Sequence, residues 1–308
     1  MQRVFVFPGQ GSHSVGMLAE LAAQDPVVIE TFAESSAALG YDLWQLVQQG
    51  PAEKLNETVH QQPAMLTADI ATWRYWLNAG GTRPDVVAGH SLGEFAALVA
   101  AGTLQFTDAV KLVRERAERM QAAVPVGVGA IAAVLGLEDD AVIAACKEAE
   151  QGEVVDPVNF NSPGQAVIAG HATAVNRAIE ACKAAGAKRA VVLPMSVPAH
   201  SSLMKPAADG FAASLRAASF AAPSIAYWSP VDMRAHDTAE DIRELLVRQL
   251  ASPVQWSGLV RALASAGATR FIECGPGKVL AGLVRRIDKN LQGQALQDPA
   301  SVQAALAA

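Results

Sequence analysis

Short apolar runs alternate along this chain with longer segments whose apolar residues recur every three or four positions, so strands and helices take turns. Gln2 to Phe7 reads as a buried strand that stops at the loop Pro8-Gly9-Gln10-Gly11-Ser12. Polar and helical segments continue to Gly81. A second strand, Val86-Val87-Ala88, runs into Gly89-His90-Ser91-Leu92-Gly93 and then into a helical stretch, Glu94 to Ala101. A helix from about Thr107 to Ala123 follows, with Thr107 or Asp108 as its expected cap.

The pattern then changes. Val128 to Gly136 reads as a strand, Glu138 to Glu150 as a helix and Val154 to Phe160 as a strand. The turn Asn161-Ser162-Pro163-Gly164 leads to a strand over Gln165 to Ala169, a helix over Ala172 to Ala185 and a strand over Lys188 to Leu193. The order β-α-β-β-α-β is that of a ferredoxin-like module. Pro125 bounds it on one side, Pro194 and Pro198 on the other, so residues 125–197 are expected to form a small domain inserted between 1–124 and 198–308. Beyond it, Ser224 to Trp228 reads as a strand, and Thr238 with Asp241 as a capping box opening a helix to Leu250. A helix from about Pro253 to Ala266 and a strand from Thr269 to Cys274 follow. Gly275-Pro276-Gly277-Lys278 lacks the spacing of a phosphate-binding loop and reads as a tight turn. The Ala/Gln-rich tail beyond Asn290 carries no chemical signal.

Composition narrows the function classes. Hydrophobic residues at 51% and charged residues at 18% fit a packed globular protein. A net charge of -6 without a basic run argues against nucleic-acid binding. No apolar stretch has transmembrane length, and Met1 to Phe7 is too short for a signal-peptide core, so a cytoplasmic protein is expected. Cys146, Cys182 and Cys274 are widely spaced and suit packing better than a disulfide framework or a metal site.

The chemistry centres on Gly89-His90-Ser91-Leu92-Gly93. Strand, G-x-S-x-G, helix is the form of a nucleophile elbow, with a serine hydroxyl pushed out at a helix start. The plainer reading is a βα turn whose serine caps the helix. A nucleophilic serine needs a base. Of six histidines, His90 lies inside the elbow with its side chain expected to point away from that of Ser91. His200 follows the stiff segment Met195-Ser196-Val197-Pro198-Ala199 at the domain boundary, where clefts form. A surface or capping role for His200 stays equally open. Arg116 falls between Leu112 and Met120 on the apolar arc of its helix. An inward guanidinium needs an anion or several acceptors. It reads either as an anion receptor beside the serine or as a structural ion pair or snorkelling side chain.

Several motifs together resemble one family. Phe7-Pro8-Gly9-Gln10-Gly11-Ser12, Gly89-His90-Ser91-Leu92-Gly93-Glu94, Arg116, Val158-Asn159-Phe160-Asn161-Ser162-Pro163-Gly164-Gln165, Ser196-Val197-Pro198-Ala199-His200, Arg248-Gln249-Leu250 and Glu273-Cys274-Gly275-Pro276-Gly277-Lys278 stand in the order and spacing of malonyl-CoA:acyl-carrier-protein transacylases of bacterial fatty-acid synthesis. The resemblance runs from Val4 to about Asp288. It implies a hydrolase-like α/β core with a parallel sheet and an inserted ferredoxin-like domain. It implies Ser91 as the acylated nucleophile and His200 as the base. Arg116 would receive the malonyl carboxylate, the backbone N–H groups of Gln10 and Leu92 would form an oxyanion hole, and a carbonyl of Gln249 would orient the histidine. The implied partners are malonyl-CoA, coenzyme A and an acidic acyl carrier protein, with no metal or redox cofactor, no nucleic acid and no membrane.

The sequence departs from the commonest family pattern at His13, Phe95, Ala199 and Trp228-Ser229-Pro230. The last of these bears on the histidine side of the pocket and on donor strictness. A serine hydrolase is the rival class. It would want an acidic triad partner and an HGGG-like loop, and Pro-Gly-Gln-Gly stands in that place.

Overall fold

The computed structural model describes residues 2–195 and 197–308. Met1 and Ser196, the first residue of the Ser196–His200 motif, lie outside the described residues.

Ten strands form two sheets among these residues. They are β1 (Gln2–Phe7), β2 (Val86–Gly89), β3 (Gly129–Leu135), β4 (Val155–Ser162), β5 (Gln165–His171), β6 (Arg189–Val192), β7 (Ala226–Ser229), β8 (Arg234–His236), β9 (Ala268–Glu273) and β10 (Gln292–Ala295). The large sheet has the order β10-β9-β1-β2-β7-β8. Its pairs are parallel except the edge pair β7–β8. Helices cover both faces, which is why β1 and β2 are near-continuously apolar. Phe5, Phe7 and Val87 pack into the core on one face, and Val4, Val6, Val86 and Ala88 into the core on the other. This is the α/β architecture with a parallel sheet expected from the family resemblance.

Register decides where the site lies. Phe7 pairs with Gly89, and Val6 with Glu273. The loops after β1, β2 and β9 therefore leave the same carboxyl edge side by side, where open α/β sheets place their ligands.

The second sheet has the order β4-β5-β3-β6, with antiparallel pairs throughout. Its helices, Asp139–Ala149 and Ala172–Ala184, bury one face with Ala132, Val134, Val142, Ile168, Cys146 and Cys182. The opposite face sends Ile131, Val167 and Ala169 toward the main core. Burial raises the Cys146 thiol to about 12, as expected of a cysteine that only packs. The β4 strand bonds to the segment before helix Trp256–Ser265: Phe160 N–H donates to the Val254 carbonyl at 3.0 Å, and Val254 N–H to the Val158 carbonyl at 2.9 Å. That fastens the second sheet against the first.

Local expectations differ in detail. Helix Phe106–Ala123 is capped at Gln105, so Thr107 and Asp108 lie inside its first turn and Asp108 faces the helix dipole instead. Thr238 accepts from Asp241 N–H at 3.2 Å, the first half of the expected box; the complete reciprocal pair is Asp298 with Ser301. That pair opens helix Pro299–Leu306 in the tail, and β10 lies just before it. Neither shows in the sequence pattern, because β10 is Gln-Gly-Gln-Ala and depends on pairing with β9. No helix among the described residues is long and apolar enough to cross a membrane.

Candidate active site

Close backbone packing builds the elbow. His90 N–H donates to the Phe7 carbonyl at 2.9 Å, tying the turn to the end of β1. A Cβ on Gly93 would lie 2.0 Å from the Phe7 carbonyl oxygen, and one on Gly89 2.0 Å from the Gly93 backbone. Both glycines are therefore required by contact. Ser91 has φ 54° and His200 φ 66°. A non-glycine residue held there costs about 1–3 kcal/mol, which surrounding packing must offset.

These two residues meet. Ser91 Oγ lies 2.7 Å from His200 Nε2, and His200 Nδ1 lies 2.8 Å from the Gln249 carbonyl oxygen. A carbonyl only accepts, so Nδ1 carries the proton and donates, leaving Nε2 to accept from the Ser91 hydroxyl. The group that fixes the tautomer is main chain, not a carboxylate. His200 is 4% exposed. Burial, with the Arg116 cation second, lowers its pKa to about 3, so the ring is neutral. A hydroxyl donating to a neutral imidazole is the arrangement that general-base activation of a serine requires.

Arg116 stands on the other side of the hydroxyl. Its helix turns it inward, as the apolar arc requires, and it is 0% exposed. Nη1 donates to Gln62 Oε1 at 2.8 Å, and Nη2 to Gln249 Oε1 at 2.8 Å and to Ser91 Oγ at 3.3 Å. Nε has no partner among the described residues. Burial lowers the guanidinium to about 10, still fully charged at neutral pH, and Glu94 opposes the shift. Arg116 makes no direct ion pair among the described residues: its acceptors are two glutamine oxygens and the serine hydroxyl.

The remaining expected residues fall into place around this pair. Gln10 follows β1, and Leu92 is the elbow residue after Ser91, just before helix Gly93–Ala100. Neither backbone N–H donates to a backbone carbonyl among the described residues. A cavity of roughly 150 Å³ has Gln10, Ser91 and His200 on one side and Ile131, Val167 and Leu193 of the second sheet region on the other. His90 also lines this cavity, and its ring is held by Asn161, with Nε2 2.9 Å from Asn161 Oδ1, not by Ser91.

Sequence reasoning assigned no role to Gln62, Glu94, Tyr227, Ser229 or the side chain of Gln249. Glu94 had a readable signal: it follows Leu92-Gly93 and precedes Phe95-Ala96-Ala97, where a carboxylate is as conspicuous as Arg116 on its own helix. It is 0% exposed. Ser229 lies at the Glu94 carboxylate, 2.6 Å from Oε2, which is what the Trp228-Ser229-Pro230 departure reaches.

Comparison with known proteins establishes the family of the chain. Residues 4–302 match the family model described as acyl transferase domain. The chain is 57% identical to the malonyl CoA-acyl carrier protein transacylase of Escherichia coli (strain K12), covering 99% of both chains. It superposes with TM-score 0.96 on the crystal structure of an acyl carrier protein S-malonyltransferase from Vibrio cholerae, at 55% identity and covering 99% of this chain and 100% of that one. A chain of the solved complex of a type II PKS acyl-carrier protein with its malonyl-transacylase superposes with TM-score 0.98 at 52% identity, covering 100% of this chain and 99% of that chain.

The neutrality of His200 has a measurable consequence. Its folded pKa lies below the unfolded value, so the stability contributed by the neutral ring is complete above about pH 6.5 and is lost as pH falls toward 3. In the free protein, NMR of labelled histidine is expected to show His200 neutral at pH 5. A ring titrating at the ordinary value would contradict the buried geometry.

Proposed function

Because the chain belongs to the acyl transferase family, among relatives named malonyl CoA-acyl carrier protein transacylases, we propose that it moves a malonyl group from malonyl-CoA to the phosphopantetheine thiol of an acyl carrier protein through an ester on Ser91. One observation carries the reading: the Ser91 hydroxyl stands between a neutral imidazole at 2.7 Å and a buried guanidinium at 3.3 Å. A thioester with a free carboxylate two carbons from its sulfur-bearing carbonyl carbon fits that spacing, with its carboxylate on Arg116 and its carbonyl over Ser91.

The reaction runs in two halves. Ser91 Oγ attacks the thioester carbonyl while His200 Nε2 takes its proton. The oxyanion is held by the N–H groups of Gln10 and Leu92 at the start of a helix. As the C–S bond breaks, His200 returns the proton to the departing coenzyme A thiolate. The carrier thiol then gives its proton to His200 and attacks the malonyl-serine ester, and the proton ends on Ser91. The Gln249 carbonyl steadies the ring throughout. The cleft lies between a large unit, 1–124 and 198–308, and a small unit, 125–197. Its narrowness limits water at the ester. The enzyme acts in the cytoplasm.

The carrier docks on a basic rim beside this cleft. Arg189, Leu135 and Gln165 form one cross-strand row on the second sheet, and Arg286 Nη1 reaches that row by donating to Gln165 Oε1 at 3.0 Å. Arg189 and Arg286 come from segments far apart in sequence, and Lys188 is next to them; all three are exposed. Gln165 is two residues from the cavity-lining Val167, on the same strand face. Arg285 turns away to the Gly293 carbonyl. An acidic carrier is attracted to such a rim although this chain is itself acidic.

Two measurements test these readings. Arg116→Ala is expected to lower kcat/KM for malonyl-CoA by about 10²-fold or more and that for acetyl-CoA far less. A purely structural arginine predicts loss of melting temperature with donor preference unchanged. Charge reversal at Lys188, Arg189 and Arg286 together is expected to raise KM for the carrier at low salt and to leave self-acylation by malonyl-CoA nearly unaltered. Unaltered carrier kinetics would place docking elsewhere.

A further inference from the structure

Glu94 is a fully buried carboxylate that the two half-reactions above do not use. Its surroundings are unusually one-sided. Oε1 accepts from Gln249 Nε2 at 2.8 Å. Oε2 accepts from Ser229 Oγ at 2.6 Å and from the Tyr227 hydroxyl. All three partners donate to the carboxylate; the two hydroxyls can also accept, whereas the Gln249 N–H only donates. The site is built for a carboxylate anion. Burial raises the carboxyl above the usual carboxylate range, and the three donors with the Arg116 cation limit that rise.

Gln249 connects this anion to the serine and to the arginine. Both protons of its amide are committed, one to Glu94 Oε1 and one to the Ser91 carbonyl at 2.8 Å. Its oxygen is therefore left facing Arg116 Nη2, at 2.8 Å. An amide is nearly symmetric in shape, so its neighbours alone decide which end points where. The opposite orientation would turn N–H donors toward a guanidinium that has no lone pair to offer. The backbone carbonyl of the same residue holds His200. A flipped or loosened Gln249 side chain would release Arg116 while leaving the main-chain bond to the histidine.

We propose that Glu94 is a positioning residue for donor selectivity: it fixes the orientation of the Gln249 amide, and so holds Arg116 where a donor carboxylate can meet it. Glu94 touches neither substrate nor reacting atoms. This rests on the reading that Arg116 receives the malonyl carboxylate.

The test compares donors. Glu94→Gln keeps the shape and offers one oxygen and one N–H₂ group where three donors converge. Its expected effect is a loss of about tenfold in kcat/KM for malonyl-CoA, with acetyl-CoA changed by no more than about twofold, so the malonyl-to-acetyl ratio falls. Tyr227→Phe removes a donor from Glu94 but leaves Ser229 and Gln249 on the carboxylate. It is expected to lower the melting temperature and keep the ratio. A structural role alone predicts that both variants lose stability and both donors lose activity together; that outcome overturns the proposal, as does a folded Glu94→Gln with an unchanged ratio. If Glu94→Gln does not fold, a fallen ratio in Tyr227→Phe overturns it by itself. Arg116→Ala measured alongside separates the two claims. If its ratio does not fall, the reading of the arginine fails. If its ratio falls and that of Glu94→Gln does not, only the role of Glu94 fails.

Discussion

A guanidinium cannot be left bare in a protein interior, and the rest of this site follows from how Arg116 is accommodated. Its charge is enclosed by Phe106–Ala123 on one side and by the elbow on the other. Two glutamine oxygens and the serine hydroxyl accept from it, and none of these is charged. The compensating anion, Glu94, lies one amide away. On the proposed reading, a cation held only by neutral acceptors stays folded and still has charge to offer a donor carboxylate. A direct Arg–Glu contact would have satisfied the charge and closed the site.

The fold supplies what this arrangement needs in rigidity. The parallel register puts the ends of β1, β2 and β9 on one edge, and glycine contacts press the elbow against Phe7. Ser91 and His200 hold left-handed backbone only because neighbours restrain both ends: His200 N–H donates to the Leu250 carbonyl at 3.1 Å, while Nδ1 donates one residue earlier, to Gln249. Helix Ala239–Gln249 thus ends in a residue whose main chain and side chain serve different partners. The second sheet contributes Ile131 and Val167 to the lining of the cavity beside Ser91.

Much of this could be read from residue order. The elbow, the inward Arg116 and the β-α-β-β-α-β segment each follow a local period or turn rule, and local rules survive folding. The polar network did not follow from such rules. Gln62, Tyr227 and Ser229 acquire meaning only when helix Thr58–Asn78 and β7 are brought against the elbow, and side-chain amides and hydroxyls carry no periodic signature. Glu94 was the exception, a charge in an apolar stretch that the same reasoning used for Arg116 would have flagged. The short strands β8 and β10 were invisible for another reason. Edge strands of polar residues are specified by their partners, not by their own pattern.

The central claim is that Ser91 carries the malonyl group between donor and carrier. Intact-mass spectrometry after mixing the protein with malonyl-CoA, without carrier, addresses it directly. The account predicts a single malonyl adduct, mapped by peptide digestion to Ser91, absent from Ser91→Ala and discharged when carrier protein is added. An adduct of equal yield in Ser91→Ala, or one that the carrier does not remove, would contradict it.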